Sequence, residues 1–186
     1  MRDRRSILTT AAMLEPDALA AVAMALQGAL RDAGPREIIA EAQKMLGRSR
    51  VAAVVWPAGG STALLCAIAE VDPAIPVLFV DTGHMSGDMV AERQKLIERL
   101  GLTDVRTITP SRLDRALAAF DGWITGYTNE TAGAERPVVE TDGLHLTFNP
   151  LVAREAVDTE RLRNAQEARR ASAPSLNPAW AAASTT

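Results

Sequence analysis

The chain's 186 residues, 47% hydrophobic and 23% charged, suffice for one domain with a real core and are too apolar for disorder throughout. Twenty-three acidic against 20 basic side chains leave a net charge of −3, which offers no field for a nucleic acid. One cysteine, Cys66, and two histidines, His84 and His145, exclude an internal disulfide and any site built from several thiolates, and no apolar run nears the roughly 20 residues of a membrane span.

In chain order, Arg2, Arg4 and Arg5 ahead of Ile7 and Leu8 superficially resemble a twin-arginine export signal, but Glu15, Pro16 and Asp17 break the apolar stretch, so a cytoplasmic chain is expected. Leu19, Val22, Leu26 and Leu30 mark one helical stripe. Ile38, Ile39, Ala42, Met45 and Leu46 mark a second, opening at Pro35 and stopping at Gly47. Residues 51–56 form a continuous apolar strand that runs through Pro57, Ala58, Gly59 and Gly60 to Ser61 and Thr62, ahead of a helix over 63–71. A second strand over 76–80 ends in Asp81, Thr82, Gly83 and His84. Ser86 then caps a helix with an apolar face of Met89, Val90, Leu96, Ile97 and Leu100.

Residues 103–108 make a third strand, 110–120 a helix with Leu113, Ala116, Leu117 and Phe120 on one side, and 122–126 a fourth strand ending at Thr125 and Gly126. Strands over 138–141 and 144–148 flank Asp142 and Gly143, a two-residue hairpin turn, which reads as a local structural unit closed by Asn149 and Pro150. Residues 152–170 read as a charged helix with a solvated face of Arg161, Arg163, Arg169 and Arg170, and 171–186 as a flexible tail. The alternation predicts a single α/β domain over 1–170: an open, mostly parallel sheet with helices on both faces, Rossmann-like in layout.

In such a sheet ligands bind beyond the carboxyl ends of the strands, where helix amino termini leave N–H groups unpaired. Gly59 and Gly60 allow close approach of an anion, and Ser61 and Thr62 add hydroxyls, although the loop lacks the lysine of a Walker motif and by itself better suits an ordinary tight turn. Asp81 suits either a ribose hydroxyl or its own loop amides. His84 and His145 read as surface residues and Cys66 as a small buried hydrophobe, so no catalytic residue and no metal ligand emerges.

Residues 55–65 with Gly59, Gly60, Ser61 and Thr62, residues 75–84 with Asp81, Thr82 and Gly83, and residues 100–108 resemble, in order and spacing, the front half of the phosphoadenylyl-sulfate and adenylyl-sulfate reductases. Residues 116–126, with Trp123, Ile124, Thr125 and Gly126, and residues 140–151 resemble two later blocks of that family. The resemblance implies an adenine-nucleotide α-hydrolase-like fold with a modified pyrophosphate loop at Gly59, Gly60, Ser61 and Thr62, and with Asp81, Thr82, Gly83, Thr125 and Gly126 lining the nucleotide pocket. Family members reduce activated sulfate to sulfite with electrons from thioredoxin or glutaredoxin.

The chain departs from the pattern at the chemistry. The family's nucleophilic cysteine lies in a Glu-Cys-Gly-Ile-His block, which this sequence does not contain, and the segment bearing paired cluster cysteines is shortened between Ile108 and Leu113, so no iron–sulfur cofactor is expected. Tyr127, Thr128, Asn129 and Glu130 stand where the family places cations, and Trp56 and Pro57 replace a serine-rich entry to the first loop. The expectation is a shortened homologue that binds an adenine nucleotide or adenylyl sulfate without reducing it, as a homo-oligomer or beside a partner reductase. The rivals are an enzyme processing an adenylate at the same loop and a self-associating interaction module without nucleotide.

Overall fold

The computed structural model describes residues 15–57, 61–128, 136–142 and 144–152. The expectations for the first fourteen residues, for Gly59 and Gly60, for Gly143, for the charged helix and for the tail lie outside the described residues. In order come α1 (Pro16–Leu30), α2 (Pro35–Leu46), a 3₁₀ turn (Arg48–Arg50), β1 (Val51–Val55), α3 (Ser61–Val71), β2 (Val77–Val80) and α4 (Gly87–Leu100). They are followed by β3 (Val105–Ile108), a second 3₁₀ turn (Pro110–Arg112), α5 (Leu113–Leu117), β4 (Gly122–Thr125), β5 (Val139–Asp142) and β6 (His145–Phe148).

The strands form one sheet in the order β3-β2-β1-β4-β6-β5, all parallel except β5, which runs antiparallel to β6 at the edge. This is the open, mostly parallel α/β sheet that the alternation predicts. Every residue of β1 and β2 is buried, which is why both strands read as unbroken apolar runs rather than alternating ones. Register separates the faces. Ala53 lies beside Val77 and Ile124, and Ile124 beside Phe148, on the face whose core takes in Leu19, Ile38, Ile39, Ala42, Leu64 and Ile68. The other face carries Ala52 and Leu78, packed with Phe120 and with Ala116 and Leu117 of α5.

Local signals set the helix ends. The Glu37 carboxylate accepts the Gly34 N–H at 2.8 Å ahead of α2, and Gly47 ends that helix with φ +83°, a conformation costly for any side chain. Ser86 Oγ accepts the Met89 N–H at 3.3 Å, the cap expected for α4.

Three expectations need correction. Met89 and Val90 do not face the core but are 50% and 40% exposed, and Ile97 alone of α4 is buried; Met89, Arg93 and Leu96 face a cavity between α4 and the sheet. The helix over 110–120 is a 3₁₀ turn followed by the five residues of α5; the chain then turns so that Phe120 packs on the sheet and Asp121, bonded in both directions to Arg50, enters β4. The hairpin is not merely local: β6 pairs with β4, and His145, half-buried rather than solvent-facing, sets its ring 4.8 Å from that of Trp123. At the sheet edge α1 packs on β5, and Gln27 Oε1 accepts the Val139 N–H at 2.9 Å.

Asp72, almost wholly buried after α3, accepts hydrogen bonds from Gln43 Nε2, from Arg48 Nε at 2.6 Å and from the Ala74 N–H at 3.0 Å. Burial pushes its carboxyl up, but the Ala74 amide, Gln43 and Arg48 together outweigh burial and hold it below the usual carboxylate range. The folded chain therefore binds fewer protons here than the unfolded one. The stabilisation is complete above the unfolded pKa of about 4 and drains away as pH falls through the lowered folded value. Asp72→Asn is expected to cost about 2 kcal/mol at pH 7 and to make the acid limb shallower, read from urea midpoints at pH 7 and pH 3.

Candidate functional site

Because β1, β2, β4 and β6 are parallel, their carboxyl ends lie along one rim of the sheet, and two cavities open there. The larger, about 910 Å³, lies between the start of α3 and α4. Its apolar walls include Val55, Leu65, Phe79, Val80 and Leu96, and Ser61, Thr62 and Arg93 supply polar groups. The Ser61 hydroxyl donates to the Trp56 carbonyl at 2.5 Å, tying the first residue of α3 back to the end of β1. That bond fixes the helix start beside the strand and sets the first turn of α3 at the rim. Arg93 reaches from α4 so that its guanidinium lies 5.0 Å from the centre of the Phe79 ring, with Nη1 3.8 Å from Met85 Sδ. Lys95, also at this cavity, pairs with Glu92 at 3.1 Å.

The smaller cavity, about 390 Å³, lies on the other face and is lined by Trp56, Asp114, Trp123, Thr125, Tyr127 and Glu140 among others. Arg136 covers the Tyr127 ring at 4.6 Å and pairs with Glu140 at 2.9 Å. Thr125, at the end of β4, is buried and donates to Asn149 Oδ1 at 2.5 Å. Asn149 is wholly buried, and its Nδ2 donates to the Pro137 carbonyl and to Glu140 Oε1, each at 2.9 Å. A third hollow, about 670 Å³, opens at the amino ends of the strands between Gln43, Arg48, Pro76 and Asp104, away from every strand-end loop.

The structure thus divides the residues singled out from sequence. Ser61 and Thr62 line the larger cavity and Thr125 the smaller, with Trp56 lining both. Asp81, Thr82 and Gly83 line neither. Asp81 Oδ1 accepts the Gly83 N–H at 2.8 Å, and Gly83 takes φ +79°, so this carboxylate serves its own loop. Thr82 is half-buried beside it, and Gly126 half-buried after β4. Cys66 is buried on α3, as a small hydrophobe would be. Phe79, Met85, Arg93 and Asn149 were not singled out from sequence as site residues. A helical spacing of Met89, Arg93 and Leu96 was the one signal that joins α4 to this rim. Among the described residues no three metal-ligating side chains converge, and no helix is long and apolar enough to cross a membrane.

No protein-family model matches the chain. It is 30% identical, over 165 aligned positions covering 73% of its length, to a protein of Mesorhizobium japonicum named adenosine 5'-phosphosulfate reductase. It is 27% identical, over 139 positions covering 59% of its length, to a protein of that name from a Chelativorans species. The chain is thus similar over most of its length to two proteins named adenosine 5'-phosphosulfate reductase. It spans 65% and 57% of the lengths of these two reductases. This similarity is consistent with the mostly parallel α/β layout of the sheet, in which ligands bind beyond the carboxyl ends of the strands.

Proposed function

We propose that this domain binds an adenine sulfonucleotide, adenylyl sulfate being the leading ligand, at the rim formed by β1 and β2, and that it does so without reducing the ligand. The observation that carries the reading is the 910 Å³ cavity whose polar end is the first turn of an eleven-residue helix, with Ser61 and Thr62 on it, in a chain similar to proteins named adenosine 5'-phosphosulfate reductase. An anionic sulfate or phosphate meets the positive end of the helix and the Thr62 hydroxyl there, and the apolar walls suit a purine. Reduction of the sulfur requires an attacking thiolate. The one cysteine of this chain, Cys66, is buried among Leu64, Leu65 and Ala67 and does not line the cavity. A place in cytoplasmic sulfur assimilation, beside a reductase or a second copy of the chain, follows from the same reading.

Calorimetric titration with adenylyl sulfate, phosphoadenylyl sulfate and ATP tests it. Micromolar binding of at least one sulfonucleotide is expected, with no sulfite released in the presence of reduced thioredoxin and no change on Cys66→Ser. The absence of heat with all three would remove the binding role, and sulfite release abolished by Cys66→Ser would overturn the non-reductive half.

A further inference from the structure

Arg93 stands apart from the other structurally engaged arginines. Arg36, Arg48, Arg50, Arg106 and Arg136 each pair with a carboxylate, whereas Arg93, half-buried, forms no ion pair among the described residues. Its neighbours are the Phe79 ring and the Met85 thioether. An aromatic face steadies a cation through its quadrupole but leaves the N–H groups in the ring plane of the guanidinium free to donate. A thioether is a weak acceptor that can occupy one of them. The α4 helix, standing off the sheet, holds this fork over the cavity that Ser61 and Thr62 line, and the apolar walls there reduce screening by water. Among the described residues the carboxylate at this cavity, Glu92, pairs with Lys95 rather than with Arg93, and a planar fork of donors matches the paired oxygens of a sulfate or phosphate.

Resting on the sulfonucleotide reading of this cavity, we propose that Arg93 holds the ligand's anionic group and sets the preference for charged over uncharged adenosine compounds. Phe79 positions the guanidinium, and Met85 Sδ gives way to the anion when it binds.

The experiment is titration of the full chain and of its Arg93→Gln and Arg93→Lys variants with adenylyl sulfate, adenosine and inorganic sulfate, at low and high salt. For Arg93→Gln, adenylyl sulfate affinity is expected to fall about thirty-fold, with adenosine affinity unchanged. For Arg93→Lys the loss should be several-fold, because the charge remains while the fork is gone. The salt dependence of adenylyl sulfate binding should shrink in Arg93→Gln. Unchanged affinity and salt dependence in Arg93→Gln would overturn the role of Arg93 and leave the nucleotide reading standing, and equal losses for adenosine and adenylyl sulfate would do the same. No binding to the unaltered chain would overturn both. Should Arg93→Gln not unfold cooperatively, Arg93→Lys decides: affinity equal to the unaltered chain at both salt concentrations refutes the anion fork.

Discussion

Asn149→Ala is expected to destabilise the chain by about 3 kcal/mol, a fall in Tm of roughly 6–12 °C, measurable by urea unfolding and by calorimetry. The reason lies in three bonds made by one wholly buried amide, which joins Thr125 on β4 to the Pro137 carbonyl and to the Glu140 carboxylate on β5. Alanine leaves the Thr125 hydroxyl and the Pro137 carbonyl without these partners in a site too enclosed for easy hydration, and that desolvation dominates over the lost bonds themselves. Asn149→Asp conserves volume and isolates the donor. It sets a second carboxylate beside Glu140 and the Pro137 carbonyl, so its defect should equal or exceed that of alanine at pH 7 and narrow on acidification, as the new carboxyl protonates. Thr125→Val removes one bond and should cost about 1 kcal/mol. An Asn149→Ala midpoint within error of the unaltered chain would mean that the amide does not fasten β5 to β4.

Gly122→Ala tests the opposite limit, a position with no space. A Cβ built on Gly122 would lie 2.5 Å from the Leu146 carbonyl oxygen, 2.8 Å from Leu46 Cδ1 and 3.3 Å from Leu146 Cβ. The Leu46 methyl can swing aside, but the carbonyl belongs to the β6 backbone that pairs with β4 at this register, so the strands must part for the methyl group to fit. We expect a loss of about 3 kcal/mol from overpacking, with Leu46→Ala failing to rescue it because only the softer contact is relieved. Unchanged stability of Gly122→Ala would show that β4 and β6 are farther apart than this register requires.

Much of the fold was legible because burial on both faces leaves a one-dimensional mark. Residues 51–56 and 76–80 read as strands and form β1 and β2 within one residue at an end, and Ser86, Pro35 and Gly47 marked helix ends through the backbone groups they satisfy or free. Helical periodicity failed at Met89, since an apolar stripe looks the same over a packed core and over a cavity, and at Val90, which is exposed. Of the site, Ser61 and Thr62 were legible from the strand–loop–helix pattern. Asn149 was not, because its burial depends on β6 lying beside a strand more than twenty residues earlier, and nothing local announces that pairing. Arg93 was hidden for a related reason: a helical arginine is ordinarily solvated, and only the stand-off of α4 turns this one toward the rim.

The bond from Gln27 to the Val139 amide bears on how the chain meets its own copies at high concentration. Open-ended fibrils need a free strand at both flanks of every unit, one to receive and one to extend. Here one flank is stoppered by a side-chain amide and an overlying helix, while β3 lies at the opposite flank with Arg106 locked to Asp104 by two bonds of 2.8 Å. A further strand could extend the sheet at β5 only by displacing the bond from Gln27, which disfavours propagation at this flank.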